Sequence, residues 1–258
     1  MKALDRGWVV CPKPRPSAAV QLFCFPNAGA GGSAYRGWAD RCHPELEITW
    51  VLIPGRDGRM GKNPYTNIHE LVPGLLDALQ VSVDRNFVFY GHSLGAKIAF
   101  EAARELRRRG HAGPSHLFVG ACHAPQLPWP YPAVHLLEDG QFIHEMQTRY
   151  GGIPIQVIKD AELRALLIPL LKEDVRLVET YHYRPEPPLD CAITAFGGSA
   201  DNTVDRSAIE AWQHQTRNNF RFHIVPGDHF FVQSARDRLL ATIAAELLLP
   251  SPGLAVHQ

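Results

Sequence analysis

Six short apolar segments recur along the chain, and each ends at or beside a glycine or a proline. They are rich in β-branched and aromatic residues, which is typical of buried strands. Helical patterns lie between them, such as HELVPGLLDAL (69–79) and AKIAFEAARELRRRG (96–110). This alternation predicts an α/β fold with a mostly parallel, doubly wound sheet covered on both faces. The six segments are AVQLFCFP (19–26), ITWVLIPG (48–55), NFVFYG (86–91), HLFVGA (116–121), CAITAFGG (191–198) and FHIVPG (222–227).

Composition narrows the class of protein further. The 258 residues are 45% hydrophobic and 20% charged, which suits a single soluble domain (1–258) with a sizeable core. Lys+Arg and Asp+Glu both number 26, so no net charge favours nucleic acid or an anionic membrane as a partner. Neither a signal peptide nor a bilayer-spanning apolar stretch is recognisable. We therefore expect a cytoplasmic monomer.

The cysteines and histidines do not form a metal or disulfide pattern. The five cysteines are scattered without C-x-x-C spacing, and none of the 13 histidines belongs to an H-E-x-x-H motif. A disulfide framework and a metal centre are both disfavoured by this spacing. We expect neither a metal nor a cofactor.

Residues 135–183 interrupt the alternation of strands and helices. They carry helical patterns and little strand signal, and they are longer than an ordinary crossover connection. A long crossover is the plainer interpretation. The length favours a helical lid inserted over the ends of the strands.

One predicted strand runs directly into Gly-His-Ser-Leu-Gly (91–95), and a helical pattern follows. G-x-S-x-G between a strand and a helix is typical of a nucleophile elbow, the sharp turn that lifts a serine clear of a sheet. Glycines leave room for such a turn, and the following helix N-terminus stabilises negative charge. A tight turn that merely contains serine is the alternative. The setting favours Ser93 as a nucleophile.

A serine nucleophile needs a base and an acid, and in α/β-hydrolases the acid and then the histidine follow the serine along the chain. His229, in VPGDHFFV, lies just after the last predicted strand and is the candidate base. Asp201, in FGGSADNTV, follows the preceding predicted strand and is the candidate acid. Asp205 is the alternative acid, although its position suits a helix N-cap better. Asp228 is expected to structure its own loop.

Acyl transfer also needs N–H donors for the oxyanion of the tetrahedral intermediate. We expect one donor to be the backbone amide of Leu94, directly after the nucleophile. The glycine-rich loop FPNAGAGGSAY (25–35) follows an early predicted strand, and the Ala28 amide is the expected second donor. This loop lacks GK[ST] and the acidic partner of a dinucleotide site, so it matches a phosphate-binding loop poorly.

Several motifs together closely resemble type II thioesterases, the stand-alone editing hydrolases of nonribosomal peptide and polyketide synthesis. They occur in the same order from about Val20 to Leu240, which makes the resemblance far more specific than G-x-S-x-G alone. The motifs are FPNAGAGGSAYRGW (25–38), IPGRDGR (53–59), GHSLGAKIAFEAARELRRRG (91–110), YGGIP (150–154), LLIPLLKEDVRLVETYHY (166–183) and GDHFFV (227–232).

The resemblance implies an α/β-hydrolase fold with a mobile helical lid. It also implies hydrolysis of acyl thioesters from the 4′-phosphopantetheine arm of carrier proteins, which would be transient partners. Residue by residue, the family's nucleophile falls on Ser93, its acid on Asp201, its base on His229 and its oxyanion loop on Ala28.

The chain departs from the family pattern at two places. Loop 25–35 carries one extra small residue, so the second oxyanion donor could shift, and HAPQLPWPY (123–131) is individual and has no assigned role. A chain-releasing thioesterase, a carboxylesterase on the same triad and an inactive scaffold protein are the alternative functions. Two interpretations of Arg56 and Arg59 are equally well supported: they contact an acidic carrier protein, or they are solvated charges of a loop.

Overall fold

The computed structural model describes residues 7–54, 65–79 and 85–248. Within these ranges seven strands form one sheet in the order β1-β3-β2-β4-β5-β6-β7. The strand β1 is antiparallel to β3, and every other neighbouring pair is parallel. The strands are β1 (Val9–Val10), β2 (Val20–Phe25), β3 (Leu46–Val51), β4 (Asn86–His92), β5 (His116–Gly120), β6 (Ala192–Gly198) and β7 (Phe220–Val225).

Helices connect successive parallel strands and cover the sheet. They are α1 (Trp38–Arg41), α2 (Ile68–Leu79), α3 (Leu94–Arg108), α4 (Asp139–Arg149), α5 (Ile155–Lys159), α6 (Ala161–Glu179), α7 (Arg206–Glu210), α8 (Phe231–Ser234) and α9 (Arg236–Glu246), with short 3₁₀ helices at Gly32–Tyr35 and Ala211–Gln215. The predicted α/β class and mostly parallel sheet are confirmed.

The continuous apolar runs of the central strands follow from burial on both faces of the sheet. In β4, Phe87 and Phe89 pack into a cluster with residues of α2, α3 and α7. Val88 and Tyr90 pack into a second cluster with residues of α1, α8 and α9. Because successive side chains of a strand point to opposite faces, both alternating sets must be apolar here.

Helices α4, α5 and α6 form an insertion between β5 and β6. The insertion has an apolar cluster of its own, which includes Phe142, Ile153 and Ile168, and Ala28 of the loop after β2 packs against this cluster. The helical content of 135–183 is therefore as the sequence predicted. Its role as a lid stays a prediction.

Among the described residues, every helix is too short or too polar to cross a bilayer. All five cysteines are free thiols.

Candidate active site

Ser93 occupies a sharp turn between β4 and α3. Its backbone has φ 54° and ψ −115°, a conformation that residues with a Cβ rarely adopt. The Ser93 amide donates to the carbonyl of Gly120 at 2.8 Å, which ties the turn to the end of β5. The serine thus stands at the carboxyl edge of the sheet, as expected of a nucleophile elbow.

The two glycines around the serine are needed because backbone segments approach them closely. A Cβ at Gly91 would lie 2.2 Å from the carbonyl oxygen of Gly95. A Cβ at Gly95 would lie 2.0 Å from the carbonyl oxygen of Phe25, at the end of β2. The second contact places the turn directly against the start of loop 25–35.

The structure brings Ser93, His229 and Asp201 together. His229 Nε2 lies 3.1 Å from Ser93 Oγ, and His229 Nδ1 lies 3.0 Å from Asp201 Oδ2. These residues follow β4, β7 and β6, whose carboxyl ends meet at one edge of the sheet. His229 is only 6% exposed. With Nδ1–H donating to Asp201, Nε2 is left to accept the serine proton.

Thr203, which sequence reasoning missed, holds Asp201 in place. Its amide and its hydroxyl donate to Asp201 Oδ1 at 2.9 and 2.6 Å, and the same hydroxyl oxygen lies 3.0 Å from His229 Nδ1. A turn in which an Asp side chain accepts the amide of the residue two positions later is common in loops. The pattern D-x-T after a predicted strand is therefore the signal that could have identified Thr203.

Asp201 is held as a carboxylate. Burial alone would raise the pKa of Asp201, but its hydrogen bonds from His229 and Thr203 outweigh burial and bring that pKa below its ordinary value. Asp201 can therefore stabilise a positive charge on the imidazole.

The two other aspartates near this edge have structural positions. Asp205 takes the N-cap position of α7, and its carbonyl accepts the amides of Ala208 and Ile209. Its side chain makes no capping hydrogen bond. The prediction that Asp205 occupies an N-cap position is therefore confirmed, but its side chain does not cap the helix. Asp228 Oδ1 accepts the amide of Phe230 at 2.8 Å and structures its loop as expected.

His92, the middle residue of the G-H-S motif, is fully buried beneath the site. Its Nε2–H donates to the carbonyl of His229 at 2.7 Å, and its Nδ1 lies 3.2 Å from the Tyr90 hydroxyl. Burial, and next the nearby His229, lower the pKa of His92 to about 3. A neutral His92 is therefore a fixed support for the loop that carries His229.

Ala28 belongs to the loop that follows β2. It lines one cavity together with Ser93 and His229. In the described part of the chain, no hydrogen-bond acceptor is found for the Ala28 or the Leu94 amide. Both N–H groups thus suit the role of oxyanion donors, which stays a prediction for each.

Loop 25–35 is also fastened to the insertion. The Gly29 amide donates to Asp174 Oδ2 at 2.7 Å, and Asp174 is a buried residue of α6. The Tyr150 ring of the insertion packs against His229 with a centroid distance of 4.8 Å. The insertion therefore contacts both loop 25–35 and His229.

Arg56 and Arg59 lie outside the described residues. In the described ranges, no three His, Cys, Asp or Glu side chains are grouped so that they could hold a metal ion.

Comparison with known proteins identifies the family. Residues 20–247 match the thioesterase domain family. The gramicidin S biosynthesis protein GrsT of Aneurinibacillus migulanus is 38% identical over 94% of this chain and 94% of its own length.

Solved structures agree with this match. The RedJ thioesterase of the prodiginine biosynthetic pathway in Streptomyces coelicolor is 35% identical, with a TM-score of 0.82, over 90% of this chain and 88% of that one. YbtT, a type II thioesterase of the yersiniabactin NRPS/PKS pathway, is 30% identical, with a TM-score of 0.82, over 92% of this chain and 97% of that one.

Proposed function

The chain belongs to the thioesterase family, and from this premise we propose that it is a type II editing thioesterase. It removes aberrant or stalled acyl groups from the phosphopantetheine arm of carrier proteins in a peptide or polyketide synthase. Similarity to GrsT, RedJ and YbtT supports the pathway class. Carrier-protein domains are the proposed partners, and action as a cytoplasmic monomer without a cofactor stays a prediction.

The observation that carries the proposal is the hydrogen-bonded chain from Ser93 Oγ through His229 to Asp201, with distances of 3.1 and 3.0 Å. These are distances over which a proton can pass from a nucleophile to its base. The strained turn at Ser93 presents the hydroxyl at the edge of the sheet.

Acylation follows from this arrangement. Ser93 Oγ attacks the thioester carbonyl carbon while His229 Nε2 takes the hydroxyl proton, and the carbonyl oxygen becomes an oxyanion bound by the Leu94 and Ala28 amides. The C–S bond then breaks and the pantetheine sulfur leaves as a thiolate, which takes the proton from His229 Nε2 to give the thiol and leaves the imidazole neutral. Asp201 stabilises the transient imidazolium.

Deacylation repeats the proton transfers with water as the nucleophile. His229 takes a proton from the water as its oxygen attacks the acyl-enzyme carbonyl. The C–Oγ bond breaks, the acid is released and Ser93 recovers its proton from His229.

Replacement of Ser93 by alanine tests the proposal. Ser93→Ala removes the nucleophile and should lower kcat/KM for an acetyl-loaded carrier protein by a factor on the order of 10⁴ or more. Ser207→Ala, at an exposed position of α7, is the matched control and should retain activity. Wild-type turnover by the Ser93 variant would refute the mechanism.

The choice of substrate separates the alternatives. Faster hydrolysis of p-nitrophenyl acetate than of the acetyl-loaded carrier would indicate a carboxylesterase. A strong preference for medium-chain over acetyl carriers would indicate chain release instead of editing. Absence of turnover with all of them, and of Ser93 labelling by a fluorophosphonate probe, would leave a scaffold role.

A further inference from the structure

The space at Ser93 is small, and a much larger cavity adjoins it. The space that Ser93 and His229 line has a volume of about 50 Å³, which is room for roughly three to five water molecules. The adjoining cavity lies between loop 25–35 and the insertion and has a volume of about 500 Å³. Five residues line both spaces, which therefore meet at these positions. They are Asn27, Ala28, Met146, Tyr150 and Phe230.

The larger cavity, which we call the aliphatic cavity, is lined mainly by apolar side chains of the insertion. Several of them also belong to the apolar cluster of the insertion. A volume of this size is typical of a small-molecule pocket, and the lining suits a hydrocarbon chain. The apolar lining includes Ile153, Val157, Leu167, Ile168 and Leu171.

Two aromatic rings stand where the two spaces meet. Tyr150 follows the last residue of α4, and its ring centre lies 4.8 Å from that of His229. Phe230 follows His229 in the chain, and its ring centre lies 5.3 Å from that of His229, with the two ring planes at 87°. The imidazole of the proposed base is therefore contacted by one ring from the insertion and by another from its own loop.

The Phe230 ring is also packed against the insertion. A Cβ at Gly152 would lie 2.2 Å from Phe230 Cζ, so the ring lies directly on the backbone of Gly152. Tyr150 and Gly152 are two residues apart in the motif YGGIP (150–154). One short segment of the insertion therefore holds both rings beside His229.

The small space limits the acyl group, on the premise of the proposed function. An acetyl group fits a space of about 50 Å³ at Ser93. An octanoyl chain does not fit, and to reach the aliphatic cavity it must pass Tyr150 and Phe230. Trp129 and Glu179 line the Ser93 space but not the aliphatic cavity. The Ser93 space thus has a second direction, which the pantetheine arm can take.

We propose that the rings of Tyr150 and Phe230 determine the length of the acyl group that the enzyme hydrolyses. They favour short acyl thioesters such as acetyl and hinder longer aliphatic chains from entering the aliphatic cavity. A longer chain requires the segment 150–152 or the Phe230 ring to move, which slows its hydrolysis. Tyr150 and Phe230 are therefore specificity-determining residues for the proposed reaction.

Acetyl and octanoyl thioesters of pantetheine test this inference, because they share one leaving group and differ only in the acyl chain. The wild type should have the higher kcat/KM for the acetyl thioester. Tyr150→Ala removes the ring, and we expect it to raise the octanoyl-to-acetyl ratio of kcat/KM by about tenfold or more. Each methylene that enters the aliphatic cavity contributes a factor of about four at most.

Three further variants sharpen the test. Tyr150→Phe keeps the ring and removes only the hydroxyl, so the ratio should stay near that of the wild type. Phe230→Ala opens the same passage from the other side and should raise the ratio in the same direction. Gly140→Ala adds a methyl group at an exposed position of α4, where it meets nothing within 4 Å, and should leave both rates unchanged.

Several results would overturn the inference. A wild type that prefers the octanoyl thioester would show that the rings do not hinder long chains. An unchanged ratio in both Tyr150→Ala and Phe230→Ala would show the same, and an equal fall of both rates would indicate rings that only support His229. A rise in Tyr150→Phe as large as in Tyr150→Ala would assign the effect to the hydroxyl instead of the ring.

The ratio separates this inference from the proposed function. If the wild type hydrolyses acetyl-pantetheine and neither ring variant changes the ratio, the thioesterase assignment stands and the role of the rings is refuted. If the wild type hydrolyses neither thioester, the proposed function fails and the inference fails with it.

Discussion

At the scale of single residues, Thr203 holds the side chains of the proposed acid and base in a fixed relative position. Its hydroxyl contacts both Asp201 and His229, at 2.6 and 3.0 Å, and its amide adds a second bond to Asp201. A hydroxyl shared between two groups fixes their relative orientation, which proton transfer requires.

We expect Thr203→Val, which keeps the shape and removes the hydroxyl, to lower kcat by roughly tenfold with little change in KM. Steady-state hydrolysis of an acetyl-loaded carrier protein would measure this. Thr242→Val removes an exposed hydroxyl of α9 that bonds only within its helix, and it serves as the control. An unchanged kcat in the Thr203 variant would contradict a positioning role.

His92 makes stability depend on pH. Burial lowers the pKa of His92 in the folded chain to about 3, whereas an unfolded chain has an ordinary histidine value of about 6.5. Between these values the unfolded state binds a proton that the folded state does not, so stability falls as the pH falls from about 6.5 toward about 3.

The free energy of unfolding of the wild type therefore changes with pH, and His92→Gln removes the proton that causes this change. We expect the slope of the free energy of unfolding against pH to fall by about 1.4 kcal/mol per pH unit, which corresponds to one proton, midway in this range. Urea unfolding at several pH values from 6.5 down to 4 would measure the slope. His111→Gln changes an exposed histidine and should leave the slope near that of the wild type. Identical slopes for His92→Gln and wild type would refute the assignment.

At the scale of elements, helix α6 is hydrogen-bonded to loop 25–35. Asp174 accepts the Gly29 amide at 2.7 Å, directly beside the proposed donor Ala28. If the insertion moves as a lid, this contact must break, and the loop loses the partner that orients it. On the proposed mechanism, the position of α6 therefore affects the geometry of the oxyanion site.

Asp174→Asn weakens this contact, since an amide oxygen is a poorer acceptor than a carboxylate. We expect kcat to fall by roughly tenfold, less than for outright loss of an oxyanion donor. Glu162→Gln makes the same change of charge at an exposed position of α6 and should have no effect on turnover. Equal rates for the two variants would disprove the coupling.

Features that depend on residues close together in the sequence could be predicted, whereas contacts between distant residues could not. The strands β2 to β6 are largely buried and mainly apolar, so they were recognisable from the sequence. The half-exposed edge strand β7 was recognisable from its apolar end before Pro226 and Gly227, whereas β1 has two residues and no periodicity. Ser93 stands in a local motif. The contact between Gly29 and Asp174 joins positions 145 apart, and no local pattern can reveal it.

His92 illustrates the same limit at the site itself. Its place in the motif was visible, but its partner is a carbonyl 137 positions away. Asp201 and His229 were found because chain order in the fold class is fixed, while Thr203 depends on a side-chain turn that many loops contain. The catalytic roles of Ser93, Asp201, His229, Leu94 and Ala28 stay predictions.

At the scale of the whole molecule, the proposed chemistry needs nothing but the chain. We expect prolonged dialysis against EDTA to leave hydrolysis of an acetyl-loaded carrier unchanged, because the proposed proton transfers run through Ser93, His229 and Asp201 alone. Loss of activity that returns on adding Zn²⁺ or Mg²⁺ would contradict this. Activity before and after dialysis, at equal protein concentration, is the measurement.

The order of the strands has a consequence for protein synthesis. The strand β7 lies at one edge of the sheet, and His229 follows it. The central strands β2, β4 and β5 can pair while the ribosome is still adding later residues. A nascent chain that ends before His229 contains the nucleophile in a folding sheet but no base. On the proposed mechanism, the chain can cleave acyl groups only after all seven strands of the described sheet have been synthesised.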